Sequence, residues 1–305
     1  MSAYRELGRE ISNWGRWGAD DQLGTLNLLT PERRVAALRA VRDGISVPLG
    51  LRFDADGPQG SIPGRTNTIH VMTRTGMTSP EPSGFVFMDD LVVMPLQTAT
   101  QLDALAHVAY DGLLYNGVSV ETVTADGASH GGIETMAAGI HSRGVLLDIA
   151  RWRGVDRLAE DDRITAQDLS AAAADQGVDI GPGDCVLVRT GWMQVFTQDH
   201  DGAHYLSVEP GLDLTAARWL ADRDIALVGS DNWGIEIAPW PDSDDIHPVH
   251  CVLIRDVGMP LAEMLDLDDL AIQCAARGQW DFLFSCQPLP VTGAVGSPIA
   301  PVAIL

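Results

Sequence analysis

A mixed α/β architecture follows from three features of the 305-residue chain. Hydrophobic residues make up 46% of it and charged residues 20%, enough apolar material for a sizeable core and unlike the composition of a disordered polymer. From residue 143 onward, apolar runs alternate with segments of helical pattern. No internal repeat, low-complexity tract or linker breaks the chain, so one large domain, or two closely packed lobes, is expected.

In chain order, Asn13 to Asn27 (NWGRWGADDQLGTLN) is a turn-rich arm, too glycine-laden for a stable helix, with Trp14 and Trp17 three residues apart. Those indoles read more often as packing anchors than as ligand stackers, although an arm carrying them could cover an active-site mouth or reach a neighbouring subunit. Residues 1–30 are therefore set apart as an N-terminal arm, with 31–305 as the body. Thr30-Pro31-Glu32-Arg33 is an N-cap, a proline at the first helical position and a charged first turn, opening a helix that Gly44 stops. Strand-like runs follow at 45–51, 68–73 and 85–94, the first two separated by the loop DADGPQGSIPGRTN. Their imperfect alternation predicts strands covered on both faces. Then come RGVLLDIA as a strand, ITAQDLSAAAADQG as a helix, DCVLVRTGW as a strand, LTAARWLADRD as a helix and IALVGSD as a strand. WDFLFSC is a last strand before a hydrophobic, proline- and glycine-punctuated tail that should dock rather than fray.

Charge and composition exclude several classes of function. With 20 Lys and Arg against 42 Asp and Glu, the net charge is −22, which repels nucleic acid and anionic membranes. Runs such as 145–150 fall far below the roughly 20 residues of a membrane span, and the amino end has no signal pattern. A cytoplasmic protein with a small-molecule substrate is expected. Cys185, Cys251, Cys274 and Cys286 form no CxxC pair and read as reduced, buried packing residues.

Chemistry concentrates in two segments. In QTATQLDALAH, Gln97, Gln101, Asp103 and His107 are embedded among small or apolar residues, where an unpartnered polar group costs on the order of 1–3 kcal/mol. Either Asp103 caps a short turn and His107 is a satisfied core histidine, or Asp103 is a metal ligand, the glutamines weak ligands or water holders, and His107 a proton carrier. In the second segment His250 is bracketed by apolar residues, and Glu263 lies within PLAEML, where a carboxylate calls for a counter-charge or metal unless it faces solvent on an amphipathic helix. Asp231 reads as a turn former more readily than as a site residue. His130, beside two glycines, stays unassigned.

The two segments resemble the metal-dependent cyclase family of the kynurenine formamidase and isatin hydrolase type, whose hallmark is His-x-Gly-Thr-His-x-Asp followed by His, with a later His and Glu. Thr100, Asp103 and His107 keep that pattern, while Gln97, Ala99 and Gln101 depart from it. His250 and Glu263 match the later pair. RGVLLD, PGDCVLVRTGW, PGLDLTAARWL and the LPVTGAVGSPIAPVAIL tail extend the likeness from about Asp90 to the carboxyl end. The resemblance implies the swivelling β/β/α fold, with a central mixed β-barrel-like sheet and outer helices, in a single cyclase-like catalytic domain over 31–305.

It also implies a metal-dependent hydrolase of a cyclic or aryl amide, imide or lactone. Metal-bound water would be the nucleophile, His107 the general base and acid, and Gln97, Gln101, Asp103, His250 and Glu263 the ligands of one divalent ion. Thr100 would orient a ligand. Oxygen-rich glutamine substitutions favour Mn²⁺ over Zn²⁺. The family's habit of exchanging terminal segments implies a homodimer or homotetramer. Phe85, Trp192 and Trp233 are candidates for an apolar pocket wall. A metal-independent cyclase or dehydratase using His107 alone, or a non-catalytic binding protein on the same fold, are the alternatives.

Overall fold

The computed structural model describes residues 2–61, 64–77, 81–241 and 243–305. Nine strands form one mixed sheet that curls as a half-barrel, with helices outside it. In chain order they are β1 (Ser46–Pro48), β2 (Gln101–Asp103), β3 (Ile140–Asp148), β4 (Cys185–Arg189), β5 (Leu227–Ser230), β6 (Leu261–Glu263), β7 (Asp281–Cys286), β8 (Gly296–Pro298) and β9 (Val302–Ile304). Their spatial order is β1-β9-β7-β3-β4-β5-β6-β2-β8. The central β3 to β6 run parallel, and the flanking pairs are antiparallel. This is the mixed sheet with outer helices that the family resemblance implies.

The αβ alternation of the sequence maps directly onto the parallel core. β4 and β5 are buried along their whole length, which is why they read as continuous apolar runs rather than alternating ones. Between β3 and β4 lies helix Ala166–Gln176. Thr165 and Asp168 form a reciprocal capping box at its start, and Gly177, at φ 64°, ends it in the left-handed conformation. Helix Leu214–Asp222, between β4 and β5, is capped by the Asp213 carboxylate. The tail docks as β8 and β9, and Leu305 is buried. All four cysteines are free and buried.

Three expectations need correction. The runs at 68–73 and 85–94 form a two-stranded ribbon, Ile69–Arg74 with Asp89–Val93, that belongs to a separate sheet and is exposed on both faces; Phe85 is 64% and Val92 51% exposed. Imperfect alternation there reflects apolar residues facing solvent on both sides, not coverage. The helix opened by Thr30, whose side chain accepts from the Arg33 amide, is α-helical only over Pro31–Ala37 and tightens to a 3₁₀ turn at Leu38–Ala40 before Gly44. The amino end begins with a helix, Ala3–Glu10, that the sequence reading did not anticipate. The loop between the first two runs includes residues 62 and 63, which lie outside the described residues.

The arm leans on its own chain. The Trp14 indole N–H donates to the Arg255 carbonyl at 2.8 Å, the Arg255 guanidinium stacks over that ring at 4.2 Å, and the Asn13 and Thr25 amides bond the carbonyls of Asp256 and Gly258. Trp14 is thus a packing anchor, and Trp17 stacks with its neighbour Arg16. No helix among the described residues is long and apolar enough to cross a membrane.

Candidate metal centre

The sheet itself brings the two chemical segments together. Gln101 and Asp103 lie two apart on β2 and so share a face. β6 runs antiparallel beside it with Glu263 opposite Gln101, and β8 flanks the other side with Gly296 opposite Asp103. The Gln101 amide donates to Glu263 Oε2. Asp103 is neither a turn cap nor exposed, and Glu263 is on a strand rather than on the wet face of a helix.

His250 arrives from a third direction, at the start of a helical stretch that opens with Pro248 and continues as wider π-type turns over Cys251–Val257. Its Nε2 is 2.7 Å from Glu263 Oε1, and its Nδ1 is 2.5 Å from Glu236 Oε1. Glu236 also accepts the backbone N–H groups of Val249 and His250 at 2.8 and 2.9 Å, so one carboxylate both caps the helix and orients the imidazole. Asp103, His250 and Glu263 then each offer a ligand atom within 4.8 Å of the others.

Asp103 is the odd member of this cluster. It is 0% exposed, and neither of its oxygens has a hydrogen-bond partner among the described residues. Burial, and then the nearby Glu263, push its carboxyl well above the ordinary range. Burial also works against charge on Glu263, but the bonds from His250 and Gln101 outweigh it and hold that carboxyl low. For His250, burial lowers the pKa while its two carboxylate partners raise it further, so the ring favours its proton until a cation takes that proton's place at Nε2. Gln101 Oε1 is buried without a partner as well. Two orphaned oxygens on a carboxylate, a third on an amide, a second carboxylate and one imidazole nitrogen make a donor set suited to a divalent cation.

His107 stands beside the cluster with Nε2 at 3.6 Å from Asp103 Oδ1 and its own Nδ1 unpartnered. Burial brings its pKa down to about 4, so the ring is neutral at pH 7. Gln97 lies against Gly296, where a Cβ would come within 2.6 Å of its Nε2; the glycine makes room for the side chain, one strand from Asp103.

The other sequence candidates serve elsewhere. The Thr100 hydroxyl donates to the Met264 carbonyl at 2.6 Å and accepts from the Leu51 amide, tying three segments together rather than orienting a ligand. Asp231 is not the local turn former expected: fully buried, it accepts from the Thr190 amide and hydroxyl and the Gly191 amide, and so ties the end of β5 to the residues that follow β4. Phe85 is exposed ahead of the ribbon strand Asp89–Val93, Trp192 is buried with Met193, Tyr205 and Met264, and Trp233 lines a cavity.

Sequence reasoning missed four residues around the centre. Glu236, in WGIEIAPW, carries the signal that exposed Glu263, a carboxylate between isoleucines. His247 leaves its Nδ1 3.8 Å from Glu236. Glu209 is buried, accepts the Trp233 amide on one oxygen and leaves the other orphaned; burial raises its carboxyl well above the ordinary range. Arg65 bonds the Gln97 carbonyl at 3.4 Å. Backbone strain gathers here too: Ala99, Ile235, His247 and Met264 adopt φ of 48°, 65°, 48° and 54°, each at or next to one of these segments. Such strain is held where the surroundings over-determine a functional geometry.

Comparison with known proteins places the molecule. The Cyclase family model matches residues 43–237. Isatin hydrolase of Roseibium aggregatum is 28% identical over 149 residues, 47% of this chain and 52% of that protein, so the match spans about half the length of this relative. The crystal structure of a novel cyclase superposes with a TM-score of 0.90 at 36% identity, over 98% of this chain and 99% of that one. Isatin hydrolase A from Labrenzia aggregata, bound to benzyl benzoate, matches at 0.64 with 20% identity over 91% and 98% of the two chains, a likeness of fold.

Proposed function

From the premise that the chain belongs to the Cyclase family, we propose that it is a metal-dependent hydrolase opening a cyclic or aryl amide, imide or lactone. The observation that carries this reading is Asp103, a buried carboxylate with both oxygens orphaned beside His250 and Glu263. Asp103, Glu263 and His250 would hold one divalent ion, with Gln101 Oε1 as a further oxygen donor and Gln97 beside it. Three oxygen donors to one nitrogen favour Mn²⁺ over Zn²⁺. Bound there, such an ion polarises a carbonyl and lowers the pKa of water.

The chain's own residues supply the rest. Glu236 holds the His250 ring in one orientation through Nδ1, leaving Nε2 for the centre. Neutral His107 takes a proton from the attacking water as the new C–O bond forms, and returns it to the leaving nitrogen or oxygen as the C–N or C–O bond breaks. The bond opened leaves a carboxylic acid at one end and, at the other, an amine from an amide, a carboxamide from an imide or a hydroxyl from a lactone.

One observation favours a second reading. Glu263 and His250 already satisfy each other, as a metal-independent cyclase or dehydratase using His107 as acid and base would require. A hydrolysis screen over cyclic imides, lactones and aryl formamides, with chelator and with added Mn²⁺, separates the two. Activity lost in chelator and restored by Mn²⁺ supports the hydrolase; full turnover in chelator by metal-free protein overturns it.

A further inference from the structure

Beside the centre lies a cavity of about 400 Å³, within the roughly 300–1,000 Å³ of small-molecule pockets. Trp233, Trp240 and Ile237 supply apolar walls, and Asp244 and Asp245 also line it. His247 belongs to both places. It lines the cavity, its ring meets Trp233 edge-on at 5.5 Å, and it lies 5.0 Å from the His250 ring with Nδ1 3.8 Å from Glu236. The orphaned Glu209 Oε1 is close behind: a Cβ on Gly234 would sit 2.9 Å from that oxygen and 3.5 Å from the His247 ring. Residues within 233–241 and 243–247 thus line a two-indole chamber whose shared wall is one imidazole away from the candidate metal ligands.

We propose that this chamber is the subsite for the substrate's ring, that it takes a neutral or cationic aromatic ring, and that it turns away a ring carrying an anionic substituent. The inference rests on the hydrolase reading for what happens at the carbonyl, but the ring preference belongs to the chamber. Indole faces and edges favour an aromatic guest over an aliphatic one of similar polarity. Two carboxylates in its lining, on a chain of net charge −22, oppose an anion there and attract a cation. His247 would abut the ring edge next to the scissile bond and act as a positioning residue, holding the ring against Trp233 while the carbonyl lies at the centre.

The test is calorimetric binding to the full-length, metal-loaded protein, using 2-oxindole as a neutral aryl lactam, 2-pyrrolidone as its aliphatic counterpart, and oxindoles bearing a ring carboxylate or a ring aminomethyl group. Oxindole should bind more tightly than pyrrolidone, and the carboxylate probe should be the weakest of the three oxindoles. Trp240→Ala should weaken oxindole by about tenfold and leave pyrrolidone unchanged, with Trp240→Phe restoring most of the loss. Ser243→Trp, which fills the chamber from a residue that lines it, should abolish the oxindole preference should Trp240→Ala fail to fold. Asp244→Asn with Asp245→Asn should raise affinity for the carboxylate probe alone. Equal affinity for oxindole and pyrrolidone, or oxindole binding untouched by Trp240→Ala and Ser243→Trp, overturns the proposal even where hydrolysis is measured. Selective oxindole binding by a protein that hydrolyses none of the screened compounds upholds the chamber and overturns the hydrolase reading instead.

Discussion

Two buried polar networks sit on the same sheet and differ in one respect. Around Arg189, at the end of β4, the guanidinium reaches Asp148 at 2.9 Å, Asp268 at 2.8 Å and the Asp156 carbonyl at 3.1 Å, while Asp148 also caps the helix that follows it. That network closes on itself. Around Asp103 the network stays open: Glu263, His250 and Glu236 satisfy one another, but both Asp103 oxygens and Gln101 Oε1 have no partner among the described residues. Burying a carboxylate without partners costs stability, whereas a closed network offsets that cost internally. Closed polar clusters hold a fold together, and an open one in the same core marks the place where something else is to be bound.

Substitutions in the two networks should therefore fail in opposite ways. The largest effect is expected from Asp103→Asn, which should abolish hydrolysis while leaving the melting temperature of metal-free protein unchanged or higher, since a buried carboxyl group without partners has been removed; assay and calorimetry on one preparation check both. His107→Ala comes next, with a loss of about 10² to 10⁴ in kcat and an unchanged metal content. Arg189→Met should act in the opposite sense, destabilising the fold by about 3–5 kcal/mol in urea titration because Asp148 and Asp268 lose their counter-charge. A fully active but metal-free Asp103→Asn protein would erase the contrast between the networks.

Smaller effects sharpen it. Glu236→Gln, which weakens the carboxylate behind His250, should lower metal affinity by about 10- to 100-fold without unfolding the protein. Acidity should stabilise the fold through Asp231. Burial pushes Asp231 up to about 6, against the opposing pull of Arg189 and its three hydrogen bonds, so the folded state takes up that proton more readily than the unfolded chain. Unfolding then releases protons between pH 4 and 6, and this contribution is complete near pH 4 and lost as pH rises through about 6. Self-repulsion at net charge −22 adds in the same direction. His107, brought down to about 4 by burial, works in the opposite direction, because the unfolded chain takes up its proton first as pH falls; in a His107→Ala background melting temperatures should therefore be a few degrees higher at pH 5 than at pH 7.5.

The sequence revealed what local chemistry dictates. Thr30 and Pro31 announced the start of their helix, and the apolar run of DCVLVRTGW announced the strand Cys185–Arg189. Asp103, Glu263 and His250 stood out because each is polar amid apolar neighbours. What stayed hidden depends on contacts between distant segments. Glu236 matters only because the loop after it folds His250 back onto its carboxylate, 14 residues along. Thr100 looked like a ligand holder until Met264 and Leu51 claimed its hydroxyl. The ribbon of Ile69–Arg74 with Asp89–Val93 misled because apolar strands normally signal burial, and here they project into solvent. Trp240 and the chamber it walls arise from the return of one loop, which no spacing in the sequence announces.

The most direct measurement is calorimetric titration of Mn²⁺ into chelator-treated protein, for the wild-type chain and Asp103→Asn side by side. One ion per chain bound by the wild type, with binding lost in the variant, is the predicted result. Equal binding by both proteins, or none by either, would contradict a centre built on the Asp103 carboxylate.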